Sequence, residues 1–220
     1  MEDEIILIDK PAGMSSFGVV ARVRRKLTEK MGKKVKVGHT GTLDPFATGL
    51  MILLVGKATK RSNEFLKLDK EYVAEIKLGE TSTTGDIEGD VQKSYTGEAP
   101  SEDEVKKVVQ KFAGEIMQEV PAFSAVKING RRAYDLARKG IEVKMPTRKV
   151  IIYNIEILEY SWPRLVIKTK VSSGTYIRAL GEDIGRELGT GAFLTNLRRT
   201  QIDKYRVESA KKLNEFCGEV

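Results

Sequence analysis

Hydrophobic and polar positions follow two different periods along this chain, and the changes between them mark out its elements. Residues 4–9 form a short apolar run that predicts a buried strand, and Lys10-Pro11-Ala12-Gly13-Met14 forces a turn. Ser15 or Ser16 can cap a helix that runs to about Met31 and ends at Gly32; Val19, Val20, Val23 and Leu27 give it an apolar stripe at helical spacing. The run Leu50-Met51-Ile52-Leu53-Leu54-Val55 reads as a further buried segment. Residues 71–78 alternate, with Tyr72, Ala74, Ile76 and Leu78 on one face, and predict a half-buried strand. Residues 79–89 form a loop rich in Thr, Gly and Asp. Ser101-Glu102-Asp103-Glu104 is a capping box for a helix that turns Val105, Val108, Val109 and Phe112 inward.

The second half continues the pattern. Residues 149–160 and 164–171 predict two strands joined across Ser161-Trp162-Pro163. A helix is expected over residues 176–188, closed by Gly189 and Gly191, then a strand over 197–207 and a short helix near 209–216. Residues 121–148 are basic and mixed, with a short helix expected about Ala133 to Arg138, and read as an excursion from the core. Strands outnumber helices and lie mostly as sequential neighbours. The expected fold is therefore α+β, with a mixed, largely antiparallel sheet flanked by helices, in one domain over residues 1–220.

Composition narrows the function. The chain has 220 residues, 40% hydrophobic and 31% charged, which suits a soluble globular protein with a sizeable core. No apolar run could span a bilayer, and the acidic start Met1-Glu2-Asp3-Glu4 lacks the basic and apolar regions of a signal peptide. One cysteine, Cys217, allows no internal disulfide, so the expected location is cytoplasmic. A net charge of +7 favours a polyanionic partner, RNA or DNA. The cations crowd into residues 22–36 and 127–149.

Several chemistries fall away. Gly56-Lys57-Ala58-Thr59-Lys60 does not fit a phosphate loop, because Met51 and Ala58 stand where Gly and Ser or Thr are needed. One His and one Cys, far apart, make a zinc site a poor fit. The chain has no Gly-x-Ser-x-Gly elbow and no dinucleotide fingerprint after a strand. What stands out is Gly38-His39-Thr40-Gly41-Thr42-Leu43-Asp44-Pro45-Phe46-Ala47-Thr48-Gly49-Leu50, which gathers one acid and the single histidine into a turn bounded by glycines. Leu-Asp-Pro is also a common turn sequence in which Asp bonds its own backbone, so a turn residue and a catalytic acid both remain open readings of Asp44.

That segment resembles the catalytic signature of the TruB family of tRNA pseudouridine synthases. Lys10-Pro11-Ala12-Gly13-Met14-Ser15-Ser16, Lys70-Glu71-Tyr72, Ser173-Gly174-Thr175-Tyr176-Ile177-Arg178 and Leu197-Arg198-Arg199-Thr200 resemble the family's other motifs, in the family's order. The resemblance implies a pseudouridine-synthase fold and the isomerisation of the T-loop uridine of tRNA (position 55 in tRNA numbering) to pseudouridine. The C1′–N1 bond breaks, the uracil turns, and C5 bonds to C1′. By the same match Asp44 is the expected catalytic carboxylate. Tyr72 packs on the base and can take the C5 proton, and Arg178 pairs with Asp44 and keeps it ionised. His39 fills the space of the extruded nucleotide, Tyr176 and Leu197 line the uracil pocket, and Lys60 and Asp86 are further RNA contacts.

These roles suit the chemistry. A base inside a folded loop must be flipped out, at a cost of a few kcal/mol in lost stacking, and aromatic or cationic groups can replace that stacking. No atoms are gained or lost, so no cofactor, metal or second substrate is expected. Burial raises a carboxylate's pKa and an adjacent guanidinium opposes that. Asp44 could attack C1′, add to the ring or lead to a glycal, and these routes stay open. Residues 121–148 resemble the family's RNA-gripping thumb. The family's C-terminal RNA-binding domain of the PUA type has no counterpart after Val207, and the expected protein is a monomer whose partner is the tRNA T-arm. An RNA-binding module without chemistry is the competing reading, but an acid set among bases weakens binding and favours catalysis.

Overall fold

A computed structural model describes residues 3–128 and 130–218. Met1, Glu2, Asn129, Glu219 and Val220 lie outside the described residues, so the acidic start is described only from Asp3 and the basic excursion without Asn129. In chain order the elements are β1 (Asp3–Lys10), α1 (Ser16–Met31), β2 (Val37–His39), β3 (Thr48–Gly56), a 3-10 turn (Lys57–Arg61), α2 (Ser62–Leu66) and β4 (Lys70–Leu78). The short pair β5 (Glu80–Ser82) and β6 (Val91–Lys93) follows, then α3 (Glu102–Gln110) and β7 (Gly114–Glu119). Next come β8 (Lys127–Ile128), β9 (Arg131–Arg132), α4 (Ala133–Ala137), β10 (Thr147–Ser161), β11 (Arg164–Val171) and α5 (Ile177–Glu187). The chain closes with β12 (Ala192–Ile202), β13 (Tyr205–Arg206), a 3-10 turn (Val207–Ser209), β14 (Lys211–Lys212) and α6 (Leu213–Cys217). Among the described residues, no helix is long and apolar enough to cross a membrane.

The chain divides into two compact units, residues 1–73 with 197–220, and residues 74–196. In the first, the strand order is β14-β1-β3-β12-β4, with β2 also on β3. β1 and β3 are antiparallel from Asp3 opposite Gly56 to Lys10 opposite Gly49, whereas β3 and β12 run parallel, Arg199 opposite Gly49. The sheet is therefore mixed, as the sequence implies. β3 is buried along nearly its whole length, which explains its unbroken apolar run. Leu50, Ile52, Leu54, Phe65 and Ile202 belong to one core cluster of this unit. α1 is capped by Ser15, whose Oγ accepts from the Gly18 N–H at 3.1 Å, and ends on Gly32 at φ 63°; its buried stripe is Val19, Val20, Val23 and Leu27.

In the second unit the order continues through β4, β11, β10 and β7, with both β10 pairings antiparallel. β4 buries Ala74, Ile76 and Leu78 and half-exposes the residues between them, as its alternation predicts. α5 lies close on the sheet because Gly181 and Gly185 face it: a Cβ at Gly181 would sit 2.4 Å from Leu194 Cδ1, and one at Gly185 2.4 Å from Ala192 Cβ. The basic excursion holds α4 and the β8–β9 pair over a small cluster of Val120, Ala133 and Met145.

The structure departs from the sequence pattern at four places. β7 has no apolar alternation; its one fully buried side chain is Gln118, so hydrophobic period cannot reveal it. The last long strand spans Ala192–Ile202 and not 197–207, because Asp203 at φ 48° turns the chain into β13 and Val207 joins a 3-10 turn. The final helix shortens to Leu213–Cys217, since residues 211–212 pair with β1. The capping box at Ser101 and Glu104 is present, but α3 buries only Val105 and Val109 of the four expected residues.

Candidate active site

Asp44 sits in the turn between β2 and β3, and internal hydrogen bonds fix that turn from three sides. Ser16, the first residue of α1, is 3% exposed; its Oγ accepts from the Leu43 N–H at 2.8 Å and donates to the Leu43 carbonyl at 2.9 Å. Lys10, at the end of β1, is 1% exposed, and its Nζ donates to the Pro11 and Pro45 carbonyls at 2.9 and 3.0 Å. Arg199, on β12, is likewise 1% exposed; its Nε donates to the Leu50 carbonyl at 2.7 Å, and its Nη atoms reach the Thr42 and Gly41 carbonyls at 3.5 and 3.3 Å. The Gly13 N–H adds a bond to the Pro45 carbonyl at 2.9 Å. Leu43, Phe46 and Ala47 pack inward, while Asp44 between them stays half-exposed. A carboxylate presented this way keeps its place without a rearrangement of the chain, which is the preorganisation that catalysis needs.

His39 lies at the end of β2, half-buried, with its Nδ1 accepting from the Gly41 N–H at 3.4 Å. Burial first, and then the nearby Arg199 charge, lower its pKa below the usual 6.5, so it is a neutral imidazole at pH 7. Tyr72 (8% exposed) on β4 and Leu197 (5%) on β12 are buried in the same unit. Lys60 is exposed on the 3-10 turn after β3. Lys70, two residues before Tyr72, is 7% exposed, and its Nζ donates to the Leu66 and Leu68 carbonyls. Burial lowers its pKa to about 8, helped by Arg199.

The second unit holds Arg178, Tyr176 and Asp86. Arg178 is 4% exposed in the first turn of α5 and donates to the Thr84 carbonyl at 2.6 Å and the Phe123 carbonyl at 2.7 Å. Its Nε lies 3.5 Å from Asp86 Oδ2. Asp86, an expected RNA contact, is 3% exposed; its Oδ1 accepts from Thr84 Oγ1 at 2.6 Å and from the Glu88 N–H at 3.0 Å. These bonds fix the Asp86 carboxylate beside Arg178. Tyr176 is half-buried, with the Arg148 guanidinium 5.4 Å from its ring centre. The buried Gln118 amide matches the Tyr176 backbone as a second peptide would, accepting from its N–H at 2.8 Å and donating to its carbonyl at 3.0 Å.

Nothing in the sequence alone gives Lys10, Ser16, Arg199 or Gln118 a role in the site. A signal existed for Arg199: period two on a strand sets it on the same face as the buried Leu197. Gln118 carries no such signal.

The model of the TruB family pseudouridylate synthase N-terminal domain matches residues 24–177. Over 216 residues the chain is 46% identical to tRNA pseudouridine synthase B of Phocaeicola vulgatus, covering 98% of this chain and 92% of that one. The chain belongs to the TruB family of pseudouridylate synthases. Members at similar distance include the tRNA pseudouridine synthase B proteins of Bacteroides fragilis, 48% identical over 98% of this chain and 93% of the relative, and of Aquifex aeolicus, 46% identical over 98% and 74%. Among solved structures, a Cbf5–Nop10–Gar1 complex matches with a TM-score of 0.73 at 33% identity, over 96% of this chain and 52% of that one. An H/ACA RNP bound to a substrate RNA containing 2′-deoxyuridine matches with a TM-score of 0.70 at 30% identity, over 96% and 51%. The chain thus spans about half the length of these two structures' chains, and its fold is that of the pseudouridine synthases. His39, Asp44, Lys60, Tyr72, Asp86 and Tyr176 fall inside the matched TruB domain; Arg178 and Leu197 lie beyond its end.

Proposed function

We propose that this protein isomerises uridine to pseudouridine in tRNA, at the T-loop uridine 55, with Asp44 as the catalytic carboxylate. The observation that carries the reading is the Asp44 turn: in a chain of this family, three buried polar side chains hold the loop and leave its one acid half-exposed. The target nucleotide leaves its stack at a cost of a few kcal/mol. His39, a neutral planar ring, occupies the space left behind. The uracil meets Tyr72, Leu197 and Tyr176, which supply apolar and aromatic surface. Asp44 takes part in breaking the C1′–N1 bond as an ionised group, and Arg178 is the cation that favours its charged form. Asp86 and the Thr84 and Phe123 carbonyls fix the guanidinium so that it acts from one place. After the uracil turns, C5 joins C1′, and Tyr72 takes the proton from C5. Lys60 and the basic segment 121–148 contact phosphates, the latter as a thumb on the T-arm. The enzyme acts as a cytoplasmic monomer without a cofactor.

Tritium release from tRNA carrying 5-³H-uridine tests this. The wild type should release tritium from one site per tRNA, mapped to the T-loop by carbodiimide-blocked primer extension. Asp44→Asn should lower the rate at least about 10³-fold, the scale of losing an essential catalytic group. Equal release by the two proteins refutes the role of Asp44; modification elsewhere refutes the T-loop assignment alone.

A further inference from the structure

Several surface cations of this protein are paired: Arg61 with Glu64, Lys77 with Glu80, Lys149 with Glu115, and Arg164 with Glu75. The cations of α1 and the turn after it are not among them. Arg22, Arg25, Lys26, Lys30, Lys33 and Lys34 are all exposed, and among the described residues none of them has an ion-pair partner. The one acid in α1 is Glu29. Arg22, Arg25 and Lys26 converge further: all three act on the Cys217 thiol of α6, opposing the upward push of burial on its pKa. Three like charges gathered on a helix whose one acid is Glu29 repel one another, a cost that folding does not require. The imbalance extends through the unit. Residues 1–73 with 197–220 carry 20 Lys or Arg against 13 Asp or Glu, the whole +7, while residues 74–196 carry 18 of each.

The position of the helix gives the charge a direction. Its first residue, Ser16, holds Leu43 beside Asp44, so α1 begins at the catalytic turn. Lys30 lies fourteen residues further on, about 20 Å away at 1.5 Å per residue. The unpaired cations from Arg22 to Lys30 cover about 12 Å of that length; such a row, buried face inward and charged face outward, fits successive phosphates and has no need of base edges.

We propose that the outer face of α1 and the lysine turn that follows it form a phosphate track for the part of the tRNA outside the loop that is modified. The proposal rests on the tRNA reading above, but its test is separate. The variant R22Q/R25Q/K26Q/K30Q and the charge-keeping control R22K/R25K/K26R/K30R are titrated by fluorescence anisotropy with whole tRNA and with an isolated T-arm hairpin, between 50 and 200 mM salt. The neutral variant should bind whole tRNA at least about tenfold more weakly, with the slope of log K against log salt smaller by about two to three, since each lost phosphate contact removes roughly 0.9. Its affinity for the hairpin should stay within about twofold, and the control should bind both as the wild type does. Whole-tRNA affinity within about twofold of wild type, or equal losses on tRNA and hairpin, overturns the track. If the fourfold variant does not fold, K30Q/K33Q/K34Q replaces it, with about half the change in slope expected and an unchanged slope overturning the proposal. Failure of the function itself shows in the wild type, as tRNA binding without tritium release.

Discussion

Gly49 shows how little room the Asp44 turn has. Its φ is +105°, and an added Cβ would lie 2.3 Å from the Arg199 carbonyl oxygen and 2.8 Å from the Arg199 nitrogen, both backbone atoms that cannot step aside. Gly49→Ala should therefore destabilise the protein by about 2–5 kcal/mol, the range for strain combined with overpacking, read as a lower midpoint in urea unfolding. A loss below about 0.5 kcal/mol would mean that β3 and β12 are not held this closely. Lys70 makes a second prediction at the same scale. Its folded pKa of about 8 is below the ordinary lysine value of 10.5, so the folded state binds fewer protons than the unfolded state between those limits. Stability contributed by this residue should rise with pH from about 8 towards 10.5, and below 8 its burial cost is complete. Lys70→Met should remove that rise, measured as the difference between wild-type and variant stability across pH 7 to 10.5. A constant difference would place the ammonium in water.

At the scale of elements, α1 does two jobs from one sequence feature. Ser15 caps it and the adjacent Ser16 reaches across to Leu43, so the helix start also anchors the Asp44 turn. Ser16→Ala leaves the Leu43 N–H and carbonyl buried without that partner, at about 1–3 kcal/mol for each unsatisfied group. We expect kcat for pseudouridine formation to fall by about tenfold or more while tRNA affinity changes little, because the loop's acid shifts and the RNA surface stays. Parallel losses in affinity would show that Ser16 supports the RNA surface as a whole. The elements legible in the sequence were those with a clean period, apolar run or cap: β1, α1, β4, β10, β11, α5 and the capping box of α3. β7 escaped because its buried position is a glutamine, and the start of β12 escaped because Gly191, at φ +71°, looks like an end when it is the turn into a strand.

For the whole molecule, charge is partitioned more sharply than composition suggests. One unit holds the entire net charge, and the other is balanced overall although it contains the basic segment 121–148. Binding to tRNA should therefore weaken steeply with salt, with a log–log slope of magnitude at least about four if both basic regions touch phosphates. A flat response in a filter-binding series would argue against phosphate contacts by either region.

By itself the sequence determined the α+β class, the family and the identity of Asp44, Tyr72 and Arg178 as the groups to ask about. Periodicity, caps and turn chemistry are local, and so are motif strings. Only the tertiary structure decided what holds those groups. Lys10, Ser16 and Arg199 converge on one turn from β1, α1 and β12, with Arg199 and Gly41 158 residues apart in the chain. Asp86 lies against Arg178, and Gln118 clamps the Tyr176 backbone. The physical reason is that a buried cation or amide takes whichever carbonyl the packed sheet brings within about 3 Å, and strand order, not local sequence, settles which carbonyl that is.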